Sequence, residues 1–176
     1  MTTLPPAQPT VSDLRAIGLF GALSDEILTQ FAQTLLVRVI DPGVTLFREG
    51  DDGREMFVVL QGELEVLKKS HRGTEARVAL LGPGDWVGDM SIVDIQPRSA
   101  SVRALAPTRL LRVSTADLDA VYRTDLKAYA IVILNIAREL SRRLRVTDGI
   151  LADLIASVFD EVIARRLGPS PGPKHY

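Results

Sequence analysis

The chain has 176 residues, enough for one domain with a real core and an appendage. Its formal net charge of −1 argues against an electrostatic footprint for nucleic acid, though it leaves room for a local basic face, and 46% hydrophobic with 24% charged residues fits a soluble globular protein. No cysteine is present, which excludes disulfides, thiolate metal sites and a cysteine nucleophile.

The start, MTTLPPAQPT, has neither a basic n-region nor an apolar core, so it does not read as a signal peptide. Its prolines make residues 1–10 a flexible lead-in. Val11–Leu36 reads as helical: Ser24 is an N-cap, Asp25 and Glu26 suit the positive helix end, and Ile27, Phe31 and Leu35 share one face. Short strands follow at Leu36–Ile40, Thr45–Arg48, Met56–Gln61, Glu63–Lys68, Arg77–Leu81, Ser99–Leu105 and Thr108–Val113. Glycine-rich turns such as Asp41-Pro42-Gly43 and Gly82-Pro83-Gly84-Asp85 separate them, and Val87–Ile95 interrupts them with one or two helical turns. Lys68 and Lys69, beside His71 and Arg72, read as a solvated hairpin end.

Helix returns at Ser114, an N-cap with Asp117 three residues on. After Thr124, Ile133, Ala137, Leu140, Leu144, Thr147, Leu151, Leu154 and Val158 repeat at alternating spacings of four and three, a heptad seam that predicts dimerisation. Gly149 is a place where this helix could kink; Arg165 and Arg166 suit its C-terminus and Gly168 its stop. The longest strongly apolar run, near Ala128–Leu134, is far short of a membrane span. The order predicts an α+β protein: an antiparallel β jelly-roll barrel flanked by N-terminal helices and a long C-terminal dimerisation helix. The divisions are a flexible segment at 1–10, a barrel domain with flanking helices at 11–124, the long helix at 125–167 and a disordered tail at 168–176. The expected location is the cytoplasm.

The chemistry concentrates in VGDMSIVDIQPRSASVRA, Val87–Ala104. Gly88 lets a ligand approach the backbone, and a short helix at Asp89–Val93 would present free N–H groups to an anion. Arg98 can make two parallel hydrogen bonds to one phosphate, and Ser99 can add a hydroxyl. Asp89, able only to accept when ionised, suits a sugar hydroxyl. A phosphate beside a sugar hydroxyl describes a nucleotide.

Gly84–Ala104, GDWVGDMSIVDIQPRSASVRA, resembles the phosphate-binding cassette of the cyclic-nucleotide-binding domains of catabolite activator proteins, cAMP-dependent kinase regulatory subunits and gated channels. FREGDDGREMFVVLQGELEV at Phe47–Val66 extends the resemblance through its glycine turns, and ARELSRRLRVT at Ala137–Thr147 resembles the activator proteins' dimer helix. The resemblance implies that Arg98 holds the cyclic phosphate, Asp89 the ribose 2′-hydroxyl, and the backbone of Gly88 and Met90 the phosphate pocket. It implies that Ser99 contacts the phosphate or the base, and that Thr147 and Arg143 reach the base from the long helix. The family usually has glutamate where this chain has Asp89, one methylene shorter, which implies a longer or water-mediated ribose contact. Asp148 stands after Thr147 where the activator proteins carry a hydroxyl residue, which weighs against a cross-subunit base contact.

The activator proteins continue from the dimer helix into a helix-turn-helix domain, whereas here nine residues follow Leu167. The expectation is therefore a regulatory sensor of cAMP that does not bind DNA and acts through a downstream protein. A sensor of cGMP or a cyclic dinucleotide is the alternative, as is a degenerate fold kept as a dimeric scaffold. Catalysis is not expected, and no catalytic cofactor: a cupin-type metal site needs clustered histidines, and this chain has only His71 and His175.

Overall fold

The computed structural model describes residues 7–70, 72–94 and 96–167. Helix α1 spans Val11–Arg15, capped by Thr10, whose hydroxyl accepts from the Asp13 amide while the Asp13 carboxylate accepts from the Thr10 amide. A 3₁₀ turn at Gly18–Phe20 and a loop at Gly21–Leu23 break what the sequence reads as one helical region, and Ala22 adopts φ +67°. Helix α2 covers Asp25–Thr34 with Ser24 as its N-cap, as its side-chain pattern requires. Phe20 meets Phe31 edge-on at 5.4 Å, joining the 3₁₀ turn to α2.

Eight strands form two antiparallel sheets: β1 (Leu36–Ile40), β2 (Thr45–Phe47), β3 (Glu55–Gln61), β4 (Leu64–Lys69), β5 (Glu75–Leu81), β6 (Trp86–Val87), β7 (Ser101–Ala104) and β8 (Thr108–Ser114). One sheet runs β1-β8-β3-β6 and the other β2-β7-β4-β5. Ile40, Phe57, Val59, Val87 and Leu110 of the first sheet cluster with Leu46, Leu64, Val102 and Ala104 of the second. The core therefore lies between the sheets, as in a jelly roll. Residues in a strand alternate in direction, so Met56, Val58, Leu111 and Val113 face the other side of the first sheet; they are buried too.

The strand β6 escaped the periodicity because its ladder is two residues long, Phe57 opposite Val87 and Val58 opposite Trp86. It delivers the chain to Gly88 and the one-turn helix α3, Met90–Val93. The strand expected from Ser99 begins at Ser101, because Arg98 and Ser99 are engaged elsewhere.

Helix α4, Thr115–Thr124, opens with the capping box of Ser114 and Asp117 and packs on β8. Helix α5 runs unbroken from Leu126 to Leu167, through Gly149. The expected stop at Gly168, the tail at 168–176, and His71 and His175 lie outside the described residues. The chain divides into two compact units, one through Ile136 and one from Ala137. In the first unit Asn135 donates from Nδ2 to the carbonyls of Leu19 and Gly21, both at 3.0 Å, fastening the base of α5 to the 3₁₀ turn. In the second, Leu144, Leu151, Leu154 and Val158 of the seam are exposed. Among the described residues no helix is long and apolar enough to cross a membrane, and no cluster of histidine and carboxylate side chains is placed to hold a metal.

Candidate functional site

Arg98 is the unusual residue of the first unit: its relative exposure is 4%. Its Nη1 donates to the Glu55 carbonyl at 2.7 Å and makes a longer contact with the Gly88 carbonyl at 3.4 Å. Its Cζ lies 4.1 Å from the centroid of the Phe47 ring, a cation–π contact. Its Nε is buried and meets no acceptor among the described residues. Nε belongs to the Nε–Nη2 edge, the one suited to two parallel hydrogen bonds, whereas the bonds to the Glu55 and Gly88 carbonyls run from Nη1.

Burial is the main influence on this guanidinium and lowers its pKa, which the nearby Glu55 and Asp51 carboxylates partly oppose. An arginine remains a cation at neutral pH regardless. The site thus holds a buried positive charge whose closest partners are carbonyl oxygens, an arrangement that costs stability unless an anion completes it.

Two glycines make room for that side chain. A Cβ on Gly53 would lie 2.2 Å from Arg98 Nε, and one on Gly88 would lie 2.6 Å from Nη1 and 3.1 Å from the Glu55 carbonyl. Gly88 also has φ +84°, a conformation that favours glycine. The arginine's own backbone is held by the turn between β2 and β3: its amide donates to the Asp51 carbonyl at 2.8 Å, and its carbonyl accepts from the Gly50 amide at 2.9 Å. That turn is closed by the Asp51 carboxylate, which accepts from the Arg48 amide at 2.8 Å. These contacts explain why β7 begins three residues after Arg98.

Five of the seven residues singled out from the sequence come together here. Gly88 touches the Arg98 guanidinium through its carbonyl. Asp89 is buried, 3% exposed, and stands at the N-cap position of α3 without a capping hydrogen bond from its side chain. Met90 is exposed, and the Ser99 hydroxyl reaches its sulfur at 3.5 Å. Arg143 and Thr147 belong to the second unit. There Arg143 Nε donates to Glu139 at 2.8 Å, and the Thr147 hydroxyl donates to the Arg143 carbonyl at 3.0 Å.

The sequence assigned no site role to Phe47, Gly53 or Glu55, and it placed Lys68 at a solvated hairpin end. Gly53 lies in the Gly50-Asp51-Asp52-Gly53 segment, which reads from sequence only as a turn. Lys68 is not a merely solvated hairpin residue: its ammonium bonds Glu49 at 2.6 Å and the Ser99 carbonyl at 2.5 Å.

Comparison with known proteins identifies the family of the fold that carries this arginine. Residues 37–125, half of the chain, match the family model of the cyclic nucleotide-binding domain. The cyclic AMP receptor protein of Thermus thermophilus is 33% identical over 130 residues, covering 74% of this chain and 58% of that protein. A CRP-like cAMP-activated global transcriptional regulator of Mycobacterium tuberculosis is 27% identical over 154 residues, 88% of this chain and 67% of that protein. The crystal structure of a cyclic nucleotide-binding domain from Methylobacillus flagellatus superimposes with a TM-score of 0.73 at 28% identity, covering 81% of each chain. The present chain thus spans somewhat more than half the length of the Thermus relative. With the family model matched over half of its length, this chain belongs to the cyclic nucleotide-binding domain family.

Proposed function

We propose that this protein is a regulatory sensor that binds a cyclic nucleotide, with cAMP as its ligand. The observation that carries the reading is Arg98, buried as a cation with its Nε lacking an acceptor and its space kept clear by Gly53 and Gly88. A cyclic phosphate carries one negative charge and two free oxygens, which match the Nε–Nη2 edge. Asp89 takes the ribose 2′-hydroxyl, the backbone of Gly88 and Met90 lines the phosphate, and Ser99 contacts the phosphate or the base. Two of the relatives are named for cAMP, which is why that nucleotide is placed ahead of cGMP or a cyclic dinucleotide.

The output runs through α5. Its exposed seam of Leu144, Leu151, Leu154 and Val158, continued by Ile155 and Phe159, takes a second copy of the chain. Ligand binding shifts the arrangement of that helix to the extent that the two arrangements bind the nucleotide unequally, and a partner protein reads the change. The role is regulatory and not enzymatic.

A thermal unfolding series tests the ligand claim. A ligand at about one hundred times its Kd adds about 2.7 kcal/mol, which raises Tm by about 5–10 °C for a chain of this size. That increase is expected with cAMP and not with adenosine. No shift with cAMP, cGMP or cyclic dinucleotides at about millimolar concentration, far above any useful Kd, would instead support a scaffold that has lost its ligand.

A further inference from the structure

The phosphate-binding segment is held from the outside as well as from the pocket. Lys68 lies on β4, and the register that pairs Leu67 with Ser101 brings it across from the peptide joining Ser99 to Ala100. Its ammonium donates to the Ser99 carbonyl at 2.5 Å and to Glu49 Oε1 at 2.6 Å. Glu49 is itself fixed at both ends: its other carboxylate oxygen accepts from the Lys69 amide at 3.0 Å, and its own amide donates to the Ser101 hydroxyl at 3.0 Å. Three segments distant in sequence, the β2–β3 turn, the end of β4 and the start of β7, thus meet on one ion pair.

We propose that Lys68, held by Glu49, is a positioning residue for the nucleotide phosphate, fixing the peptide plane that follows Arg98. The inference rests on the cyclic-nucleotide reading above. A trans peptide is planar, with its carbonyl and N–H pointing in opposite directions. Fixing the Ser99 carbonyl toward Lys68 therefore fixes the Ala100 N–H on the opposite side, and limits the torsion available to Ser99 and Arg98. The ion pair is partly exposed, with side-chain exposures of 49% for Lys68 and 29% for Glu49, so its effect on global stability is small. Its effect on affinity is larger in proportion, because binding depends on preorganised groups. Hydrogen bonds from Lys68 and from the Lys69 amide hold the Glu49 carboxyl below its ordinary value, so the clamp is charged at neutral pH.

Calorimetry with cAMP tests this on the full chain and on Lys68→Met, Lys68→Arg, Glu49→Gln and Arg98→Ala. Lys68→Met is expected to weaken binding about three- to tenfold, and Lys68→Arg to restore it to within about twofold, since arginine can still reach both acceptors. Glu49→Gln separates positioning from simple attraction. It removes a negative charge, which by Coulomb's law alone would tighten binding of an anion, whereas a lost clamp weakens it about two- to fourfold. The Lys68→Met loss also persists between about 0.1 and 0.5 M salt, where long-range attraction is screened. If the parent binds and Arg98→Ala does not, but Lys68→Met binds like the parent or Glu49→Gln binds more tightly, the clamp is wrong and the functional reading stands. If the parent binds no cyclic nucleotide, both are wrong. Should Lys68→Met fail to fold, Lys68→Arg and Glu49→Gln carry the test.

Discussion

Replacing Arg98 with methionine separates its contribution to the fold from its contribution to binding. Arg98 is 4% exposed, so the replacement acts in a dry environment. Removing it gives up the 2.7 Å hydrogen bond to the Glu55 carbonyl, about 1 kcal/mol. It also gives up the cation–π contact with Phe47, about 0.5–2 kcal/mol. Against these losses, it removes a buried cation with an unsatisfied Nε, which costs about 1–3 kcal/mol. The methionine retains packing on the Phe47 ring, with a sulfur–aromatic contact of about 0.3–1.5 kcal/mol. The two sides nearly cancel, so the ligand-free variant is expected to unfold within about 1 kcal/mol of the parent, a Tm change of about 4 °C or less. Cyclic nucleotide binding is expected to weaken by about 2–5 kcal/mol, or about 30-fold to several thousandfold. Differential scanning calorimetry and titration calorimetry on the same samples measure both. A large loss of stability with unchanged affinity would refute the reasoning, because Arg98 would then be a structural residue.

Gly53→Ala would put a Cβ 2.2 Å from Arg98 Nε, and by displacing that buried, hydrogen-bonded guanidinium it is expected to weaken cAMP binding about tenfold or more, which titration calorimetry checks, with some loss of Tm. Gly62→Ala should act on stability alone: Gly62 has φ +96° and its Cβ would lie 2.5 Å from the Pro107 carbonyl, so Tm falls by several degrees while the affinity of the folded fraction is unchanged. Asp89→Asn is expected to weaken cAMP binding about tenfold and 2′-deoxy-cAMP binding hardly at all, which a comparison of the two Kd values checks. Leu154→Lys changes a residue that is 60% exposed in the single chain; sedimentation is expected to show monomer in place of dimer, with helix content in circular dichroism retained.

The fold was legible wherever a pattern is local. β1 was read with its observed bounds because Asp41-Pro42-Gly43 ends it, and both Ser24 and Ser114 cap as their hydroxyls and following acids require. Local pattern failed at Gly18–Phe20, where tertiary contacts of Phe20 and Asn135 set the backbone, and at Trp86–Val87, too short to show a period. The candidate site was legible in its charged and glycine residues at 88–99, which stand together in sequence and which the fold keeps together. It was not legible in its supports. Glu55 meets Arg98 across 43 residues and Lys68 meets Ser99 across 31, and both meetings depend on how two sheets close. The carbonyl and ring that surround Arg98, and the lysine that bonds the next residue's carbonyl, are ordinary residues until the chain folds.

The account rests on Arg98 holding a cyclic phosphate, and the most direct measurement is a calorimetric titration of the purified chain with cAMP and cGMP beside adenosine, which lacks the phosphate. The account predicts saturable binding of cAMP at one site per chain and no heat from adenosine. Absence of binding by either cyclic nucleotide at about hundreds of micromolar, or binding of adenosine as tight as that of cAMP, would contradict it.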